Sequence, residues 1–383
     1  MTRHPTARIG DFCQTGSGST PSRSQQERYY AGGAIPWVKS GELREGLIVK
    51  TEEHVTDAAV KETAVKLVPA GAILLAMYGA TVGRLAILGV EATTNQAVCH
   101  IVPDAETADT QYLYRAIAGQ VPAIIAMGVG GAQPNISQAI VKNLQVPLPP
   151  LPEQRRIAAI LNKADALRAK RREALAELDS LTESMFIEMF GDPRELPLSW
   201  PSKPLKALGT VMTGRTPSST KEGMFGGAVP FITPGDLECD EPPKRTLTEE
   251  GVVEVNSVRA GASLVCCIGT IGKMGMTKVR SAFNQQINAV DWNETVDDAY
   301  GLAALRFLKS QMAAQAASTT VPILNKSAFE RFEIPVPPLP LQSTFATRIK
   351  AVEALKVSHR TALAALDALF ASLQHRAFSG QLS

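Results

Sequence analysis

The sequence predicts an α+β protein with an internal duplication: two tandem globular domains of mixed helices and strands, separated by two long helices that form an antiparallel coiled coil with pseudo-two-fold symmetry. Three observations support this prediction. A set of short motifs returns after roughly 190 residues. Short β-like runs are bounded by Gly and Pro in both halves. Each half ends with a long segment in which apolar residues recur at the spacing of an α-helix.

The repeat consists of seven pairs of matching segments that keep the same order in both halves. Residues 32–38 (GGAIPWV) return as 226–232 (GGAVPFI), and residues 147–154 (PLPPLPEQ) return as 335–342 (PVPPLPLQ). The other pairs are 20–22 with 216–218, 41–43 with 235–237, 70–72 with 260–262, 81–83 with 270–272 and 95–96 with 284–285. Because seven collinear matches do not arise by chance, the chain is predicted to be one module used twice.

The first part of each module is predicted to be a globular domain with short strands. We place these domains at residues 1–151 and 193–340. The predicted strands are 35–38, 73–77 and 97–102 in the first domain and 229–233, 263–267 and 287–290 in the second.

The second part of each module is predicted to be a long spacer helix, within 152–192 and within 341–383. Residues 153–190 contain neither Pro nor Gly, and their apolar residues recur mostly at steps of three and four. A helix of about 38 residues is on the order of 57 Å long, and the second copy supplies a partner of equal length, with weak seam positions at Lys356 and His359. The residues expected to form the coiled coil or to contact partners are Ile157, Leu167, Leu178, Leu181, Ile349, Val352, Leu363 and Leu366.

The composition limits the function classes. A net charge of +2 excludes a polycation that coats nucleic acid, although it allows a local basic surface. Five cysteines without a C-x-x-C pair fit a reducing compartment. We find neither a signal-peptide core nor an apolar stretch long enough to span a bilayer, so a cytoplasmic protein without a membrane segment is expected.

The sequence lacks the motifs of several enzyme classes. It contains no G-x-S-x-G, H-E-x-x-H or EF-hand motif. Residues 267–274 (CIGTIGKM) resemble a P-loop but lack its first Gly and its Ser/Thr, and no Lys has an acidic residue two positions before it, as a common nuclease motif requires. The five His residues form no cluster in the sequence. We therefore predict no catalytic residue, no metal site and no cofactor bound by this chain.

Polar and basic residues at glycine-rich turns are the remaining candidates for function. Arg and Lys suit phosphates and guanine, while Asn and Gln suit adenine edges. An alternative for the Asn-Gln pairs is that they satisfy backbone groups at a strand entry. The basic run 168–172 fits a solvated helix face, with a surface for a partner as the alternative. The candidate DNA-binding residues are Arg23, Lys39, Arg84, Asn95, Gln96, Lys221, Lys273, Asn284 and Gln285.

The sequence resembles the specificity subunit of a Type I restriction-modification system, from about residue 6 to 380. The resemblance is carried by residues 35–43, 78–84 (YGATVGR), 95–97 (NQA) and above all 147–157 (PLPPLPEQRRI), which lead into the helix that ends near Phe190-Gly191-Asp192-Pro193. The second copy departs from the first at the helix start, with Leu341 in place of Glu153 and Ser343-Thr344 in place of Arg155-Arg156. The two helix starts are therefore not expected to make identical partner contacts.

The resemblance implies two target recognition domains, each reading one half of a split, asymmetric site on double-stranded DNA, with the helices fixing the gap. It also implies that the subunit has no catalytic activity of its own. Its partners would be two modification (methyltransferase) subunits, which methylate adenine with S-adenosylmethionine, and restriction/translocase subunits that use ATP and Mg.

Two other functions fit part of the sequence. A tandem protein- or glycan-binding scaffold spaced by a coiled coil fits the near-neutral charge, but its binding would show little salt dependence, whereas DNA binding weakens steeply with salt. A hydrolase with an unrecognised site is disfavoured by the missing motifs.

Overall fold

In the computed structural model, the described residues are 4–128, 135–194, 200–218, 221–239, 241–316 and 321–382. They divide into two compact units, Met1–Arg171 with Ala362–Ser383, and Arg172–Thr361. We call these the first and the second unit. Each unit contains the globular part of one duplicated copy, which we call the module from here on, together with a stretch of each long helix.

Short strands and helices alternate along the first unit until the first long helix begins. The strands are β1 (Thr6–Arg8), β2 (Cys13–Ser17), β3 (Ile35–Val38), β4 (Leu47–Ile48), β5 (Glu53–Val55), β6 (Ile73–Ala76), β7 (Leu85–Leu88), β8 (Thr93–Thr94), β9 (Val98–Pro103) and β10 (Gln145–Pro147). The helices are α1 (Ile9–Phe12), α2 (Gln26–Tyr29), α3 (Asp57–Glu62), α4 (Thr110–Ala126), α5 (Gln138–Asn143) and the long α6 (Leu151–Phe190).

The strands of the first unit form three sheets. The largest has the order β2-β9-β6-β7-β4, the second has the order β5-β3-β8, and β1 pairs with β10. Strand β3 runs parallel to β8 and β4 runs parallel to β7, while the other pairs are antiparallel. The predicted strands at 35–38, 73–77 and 97–102 correspond to β3, β6 and β9, with boundary shifts of at most one residue.

Both faces of the large sheet are buried, because successive side chains of a strand point to opposite faces. On one face Ile73 packs in a cluster with Ile117 of α4. On the other face Leu74 packs in a cluster with Val38 of β3. The module is therefore layered around one sheet, with α4 on one side and the smaller sheet on the other.

The second unit repeats this organisation. Its strands are β11 (Ser202–Pro204), β12 (Gly209–Thr213), β13 (Phe225–Ile232), β14 (Thr246–Leu247), β15 (Ser257–Val258), β16 (Ser263–Cys266), β17 (Met274–Met276), β18 (Ser281–Phe283), β19 (Ile287–Trp292) and β20 (Glu333–Pro335). Its helices are α7 (Leu205–Leu208), α8 (Glu249–Val253), α9 (Asp298–Phe307), α10 (Lys309–Gln315), α11 (Lys326–Phe329) and the long α12 (Leu339–Phe378).

The sheets of the second unit resemble those of the first, but the large sheet has four strands instead of five and the second sheet has four instead of three. Their orders are β12-β19-β16-β17, β14-β13-β18-β15 and β11-β20. The predicted strands at 229–233, 263–267 and 287–290 correspond to β13, β16 and β19, but β13 and β16 each end one residue earlier than predicted and β13 begins at Phe225. Strand β19 continues to Trp292 because its pairing with β12 extends to Gly209, which the local sequence pattern did not indicate.

Each long helix has 40 residues and begins within the proline-rich repeat, where Pro is tolerated in the first turn. In the first unit, Arg156 donates to the carbonyl oxygen of Leu382 at 2.6 Å and Arg168 donates to Asp367 at 2.5 Å. In the second unit, Lys356 forms an ion pair with Asp179 at 2.8 Å, and Arg348 donates to Sδ of Met189 at 3.8 Å. Higher numbers on one helix thus meet lower numbers on the other, so the two helices pair antiparallel in each unit.

The predicted seam residues differ in burial. Ile157 and Val352 are buried, and the half-buried ones are Leu178, Ile349, Leu363 and Leu366. Leu167 and Leu181 keep 46% and 44% of their surface exposed, so the helix pair does not cover them.

Aromatic side chains at the ends of the long helices contact the modules. Phe186 and Phe190 of α6 pack on Tyr300 of α9, with ring centroids 5.5 and 4.8 Å apart. In the first unit Phe378 of α12 packs on Tyr112 of α4 at 5.6 Å. The last turns of each long helix therefore complete the core of a module. Among the described residues, no helix is both long and apolar enough to cross a membrane.

Candidate nucleic-acid interface

The hairpin that joins the central strands carries a cation in both units. Gly83 and Gly272 have φ of +82° and +80°, a conformation that favours glycine. The backbone N–H of Gly83 donates to Ala76 at 2.9 Å, and that of Gly272 donates to Cys266 at 2.9 Å. The next residue is Arg84 in one unit, which is exposed, and Lys273 in the other, which is half-exposed. Neither side chain has an ion-pair partner within the described ranges.

Space also requires glycine at the first of these turns. A Cβ on Gly83 would lie 2.7 Å from Cδ1 of Ile125 in α4, closer than carbon atoms pack. The turn thus packs closely against α4, and this contact fixes the backbone position from which the side chain of Arg84 projects.

A second duplicated feature joins the Thr-Pro-Ser and Asn-Gln motifs. The hydroxyl of Thr20 donates to Oε1 of Gln96, and that of Thr216 donates to Oε1 of Gln285 at 2.6 Å. Both Gln residues are exposed. Because the carbonyl oxygen of each amide is occupied, its NH₂ group is oriented as a donor for an external acceptor.

The two Asn residues of these motifs serve their own turns. Oδ1 of Asn95 accepts from the backbone N–H of Ala97 at 3.2 Å, and Oδ1 of Asn284 accepts from that of Gln286 at 3.2 Å. Asn284 is 8% exposed. The Asn residues thus satisfy backbone groups, as the alternative for the Asn-Gln pairs predicts. The exposed members of the two pairs are Gln96 and Gln285.

Three of the predicted cations are paired with acids. Arg23 donates to Glu53 at 2.6 Å, and Lys39 lies 2.9 Å from Glu52 and 3.0 Å from Glu53. Hydrogen bonds from Arg23 and then Lys39 lower the pKa of Glu53 to about 2. In the second unit Lys221 is paired with Glu254. A paired cation attracts phosphate less than an unpaired one.

The sequence prediction missed two exposed arginines of the second unit. Arg215 directly precedes the repeated Thr216 and donates its backbone N–H to the carbonyl of Phe283 at 3.0 Å. Arg245 lies over the rings of Phe225 and Phe231, 4.6 and 5.3 Å from their centroids. The position of Arg215 beside a repeated motif was a usable signal, whereas Arg245 lies outside every matched segment of the repeat.

The structure also gives a role to the glutamine that ends the proline-rich repeat. Gln154 and Gln342 are fully buried, and each hydrogen-bonds the segment that precedes α4 or α9. They fix the long helix to the module rather than face a ligand. Within the described residues, no group of three or more His, Cys, Asp or Glu side chains is placed to hold a metal ion.

Comparisons with known proteins agree with this architecture. A family model described as the Type I restriction modification DNA specificity domain matches residues 5–178 and 197–366. The Type I restriction enzyme MjaIX specificity subunit of Methanocaldococcus jannaschii is 24% identical over 379 residues, covering 90% of this chain and 85% of that protein. The EcoR124I/EcoR124II specificity subunit of Escherichia coli is 29% identical over 164 residues, covering 42% of this chain and 40% of that protein.

The fold is found in solved structures as well. A Type I restriction-modification S subunit from M. genitalium aligns with a TM-score of 0.62 at 16% identity, over 98% of this chain and 96% of that one. These matches confirm the resemblance drawn from the sequence. The chain belongs to the family of Type I restriction-modification specificity subunits, the non-catalytic components that recognise DNA in these systems.

Proposed function

We propose that each unit of this chain reads one half of a bipartite, asymmetric site on double-stranded DNA. The observation that carries the proposal is that the same turns return in both units with different side chains. Arg84 is matched by Lys273, and Ser19, which donates to Thr94, is matched by Arg215, which donates to Phe283. Similar scaffolds with different contact residues suit two half-sites of different sequence.

The long helices are proposed to set the gap between the half-sites. The support is that Gln154 and Gln342 fix each module to the start of its long helix through three hydrogen bonds apiece. A rigid connection of this kind is what a spacing element needs, because a flexible one would tolerate many gaps.

The partners are proposed to be two modification subunits, which would methylate adenine with S-adenosylmethionine, and restriction/translocase subunits that would use ATP and Mg. No cofactor is proposed for this chain itself. Exposed leucines on the long helices support a protein contact there: Leu167, Leu181, Leu355 and Leu369 keep between 44% and 52% of their surface exposed. Burying such side chains stabilises an interface.

Adenine methylation mapping tests the proposal. Genomic DNA is sequenced from cells that carry this chain with its neighbouring methyltransferase, and from cells that lack only this chain. We expect a split motif that appears only when the chain is present. If an active methyltransferase forms a complex with the chain and methylation does not change, the scaffold function replaces DNA recognition.

Shortening both long helices tests the spacing role separately. Deleting four residues from each helix removes about 6 Å of length, which corresponds to about two base pairs. We expect both half-sites to be kept and the gap to shorten. A change in the sequence of the half-sites themselves would contradict the spacing role, and deletion from one helix only serves as the control for disrupted pairing.

A further inference from the structure

The two units carry opposite charges at one matched position. In the first unit Trp37 of β3 lies opposite Glu53 of β5. In the second unit Phe231 takes the place of Trp37 in the repeat, and its backbone N–H donates to the carbonyl of Arg245 at 2.9 Å. The pairing of Pro230 with Thr246 places Arg245 opposite Phe231. Arg245 therefore occupies the register position that Glu53 occupies in the first unit.

In the first unit, the carboxylate of Glu53 pairs with the nearby cations. Glu53 binds both Arg23 and Lys39, and Arg23 lies over the rings of Tyr30 and Trp37 at 4.4 and 5.1 Å. The guanidinium that covers the aromatic residues is thus already engaged by a carboxylate. A phosphate approaching this position would have to compete with Glu53.

In the second unit, no described carboxylate pairs with Arg245. The residue in the place of Lys39 is Thr233, whose N–H and hydroxyl donate to Asp236 at 2.8 and 2.6 Å. Arg245 is exposed, and no carboxylate of the described residues lies within ion-pair distance of it. Its contact with Phe225 and Phe231 is a cation–π arrangement, which fixes the plane of the guanidinium and leaves its N–H groups free to donate.

Two other candidate contacts of the second unit, Arg215 and Gln285, lie next to the neighbouring strand β18. Phe231 of β13 pairs with Ala282 of β18, and Arg215 is bonded to the next residue of β18, Phe283. Arg245 therefore lies beside β13 and Arg215 beside β18, and Gln285 stands two residues after the end of β18. With neighbouring strands about 4.8 Å apart, the backbones at Arg245 and Arg215 are about 15 Å apart, which corresponds to about four base pairs of DNA.

We propose that Arg245 contacts the DNA half-site of the second unit, donating to phosphate oxygens or to a guanine edge, and that Glu53 denies the first unit the matching contact. The inference rests on the proposed function. It adds a residue, outside the repeated motifs, by which two similar modules treat DNA differently.

The test compares Arg245→Ala and Arg245→Lys with the unsubstituted chain, each as the full chain in complex with its modification subunits. The probe is a duplex carrying the mapped motif, together with duplexes changed one base pair at a time in each half-site. We expect Arg245→Ala to weaken binding about ten- to a hundredfold. The preference at the first half-site should not change.

Two patterns distinguish the kind of acceptor. A loss that is uniform over all duplexes, with the slope of log K against log salt reduced by about one, identifies a phosphate. A loss of preference at one base pair of the second half-site, not restored by Lys, identifies a guanine edge. Binding of every duplex within twofold of the unsubstituted complex would overturn the inference.

The matched control is Arg280→Ala, which removes an exposed arginine of the same unit that is already paired with Glu249 at 2.9 Å. It should bind within twofold of the unsubstituted complex. Melting temperatures of all variants report whether the second unit is folded. A complex that shows no sequence preference before substitution contradicts the proposed function itself, so the two failures are distinguishable.

Substitution of Glu53 tests the other half of the inference. Glu53→Gln removes the carboxylate that engages Arg23 and Lys39 and leaves a side chain of the same shape. We expect DNA binding to strengthen several-fold and its salt dependence to become steeper, because Arg23 becomes available to phosphate while Lys39 keeps its ion pair with Glu52. Unchanged or weaker binding would contradict the role assigned to Glu53.

Discussion

The backbone N–H of Asp109 donates to Oε1 of Gln154 at 2.8 Å, and the same bond at the same distance joins Asp297 to Gln342. Nε2 of Gln154 donates to the carbonyls of Thr107 and Pro149 at 3.0 and 2.8 Å. Asp109 is also the N-cap of α4. One buried side chain thus ties the start of α4 to the start of α6, and the second unit repeats the arrangement.

Gln154→Ala is expected to destabilise the first unit by about 1–3 kcal/mol, because it leaves the buried carbonyl of Pro149, together with the part-buried N–H of Asp109 and carbonyl of Thr107, without the partner that Gln154 supplies. Gln342→Ala should cost a similar amount in the second unit. The measurement is chemical unfolding followed by a probe in each unit. Gln311→Ala, at an exposed position of α10, serves as the control and should change stability by less than about 0.5 kcal/mol. A cost for Gln154→Ala no larger than this control would contradict the role of the glutamine.

The sequence predicted the duplicated architecture well because the determinants are local. Gly and Pro bound the strands, and the helical period of 153–190 extends without interruption. The glutamine of the repeat was visible in the sequence, but its role depends on a contact with Asp109, 45 positions earlier in the chain. Periodicity cannot report such a long-range hydrogen bond.

The candidate site was harder to predict for the same physical reason. Arg23 and Arg84 are both cations near repeated turns, yet Glu53 pairs with one and no described acid pairs with the other. Which cations are neutralised is decided by strand register. Arg245 was missed because its position opposite Phe231 becomes apparent only once β13 and β14 are paired.

The helix pair of the second unit buries a lysine. The side chain of Lys356 is 4% exposed and lies 2.8 Å from Asp179 and 2.9 Å from Glu353. Replacing a buried ion pair by an apolar side chain of similar volume is often neutral or stabilising, whereas removing only the acids leaves a buried charge without a partner.

We therefore expect Lys356→Met to leave the stability of the second unit unchanged or to raise it by up to about 2 kcal/mol. The double substitution Asp179→Ala and Glu353→Ala should lower stability by about 1–2 kcal/mol, less than for a fully buried pair, because the two acids are 69% and 44% exposed. Urea unfolding of the two variants gives both numbers. The opposite order, with Lys356→Met the less stable of the two, would show that the ion pairs contribute more than the desolvation of the lysine costs.

The pKa of Glu53 predicts how acid affects the first unit. The pKa is lowered from 4.5 to about 2 in the folded state, chiefly by the hydrogen bond from Arg23 and further by that from Lys39. A lowered carboxyl pKa stabilises the folded state above the unfolded value, and this stabilisation is lost as pH falls from about 4.5 to about 2. Because the group is partly exposed, we expect it to contribute only about 1 kcal/mol at neutral pH.

The measurement is the unfolding free energy of the first unit between pH 2 and pH 7, for the unsubstituted chain and for Glu53→Gln. The two curves should differ by about 1 kcal/mol at pH 7 and converge toward pH 2. Glu106→Gln, at an exposed position of the same unit, is the control for loss of a surface carboxylate. Parallel curves over the whole range would show that Glu53 is not held by the two cations.

The matched hairpins offer a test of how recognition is divided between the units. Arg84 and Lys273 follow glycines of nearly equal φ, and they make equivalent backbone hydrogen bonds in their two units. Removing either side chain should therefore leave the turn intact. We expect Arg84→Ala and Lys273→Ala each to weaken binding of the mapped duplex by roughly five- to fiftyfold. Each should change the response only to base changes in its own half-site.

Duplexes in which one half-site is scrambled give the measurement. With the first half-site scrambled, Arg84→Ala should cost little further affinity while Lys273→Ala keeps its full effect, and scrambling the second half-site should reverse the pattern. Because the two residues occupy matched turns, each variant is the control for the other. If both variants responded alike to both scrambled duplexes, the cations would bind DNA without dividing the site between the units, since contacts to the phosphate backbone alone carry no sequence information.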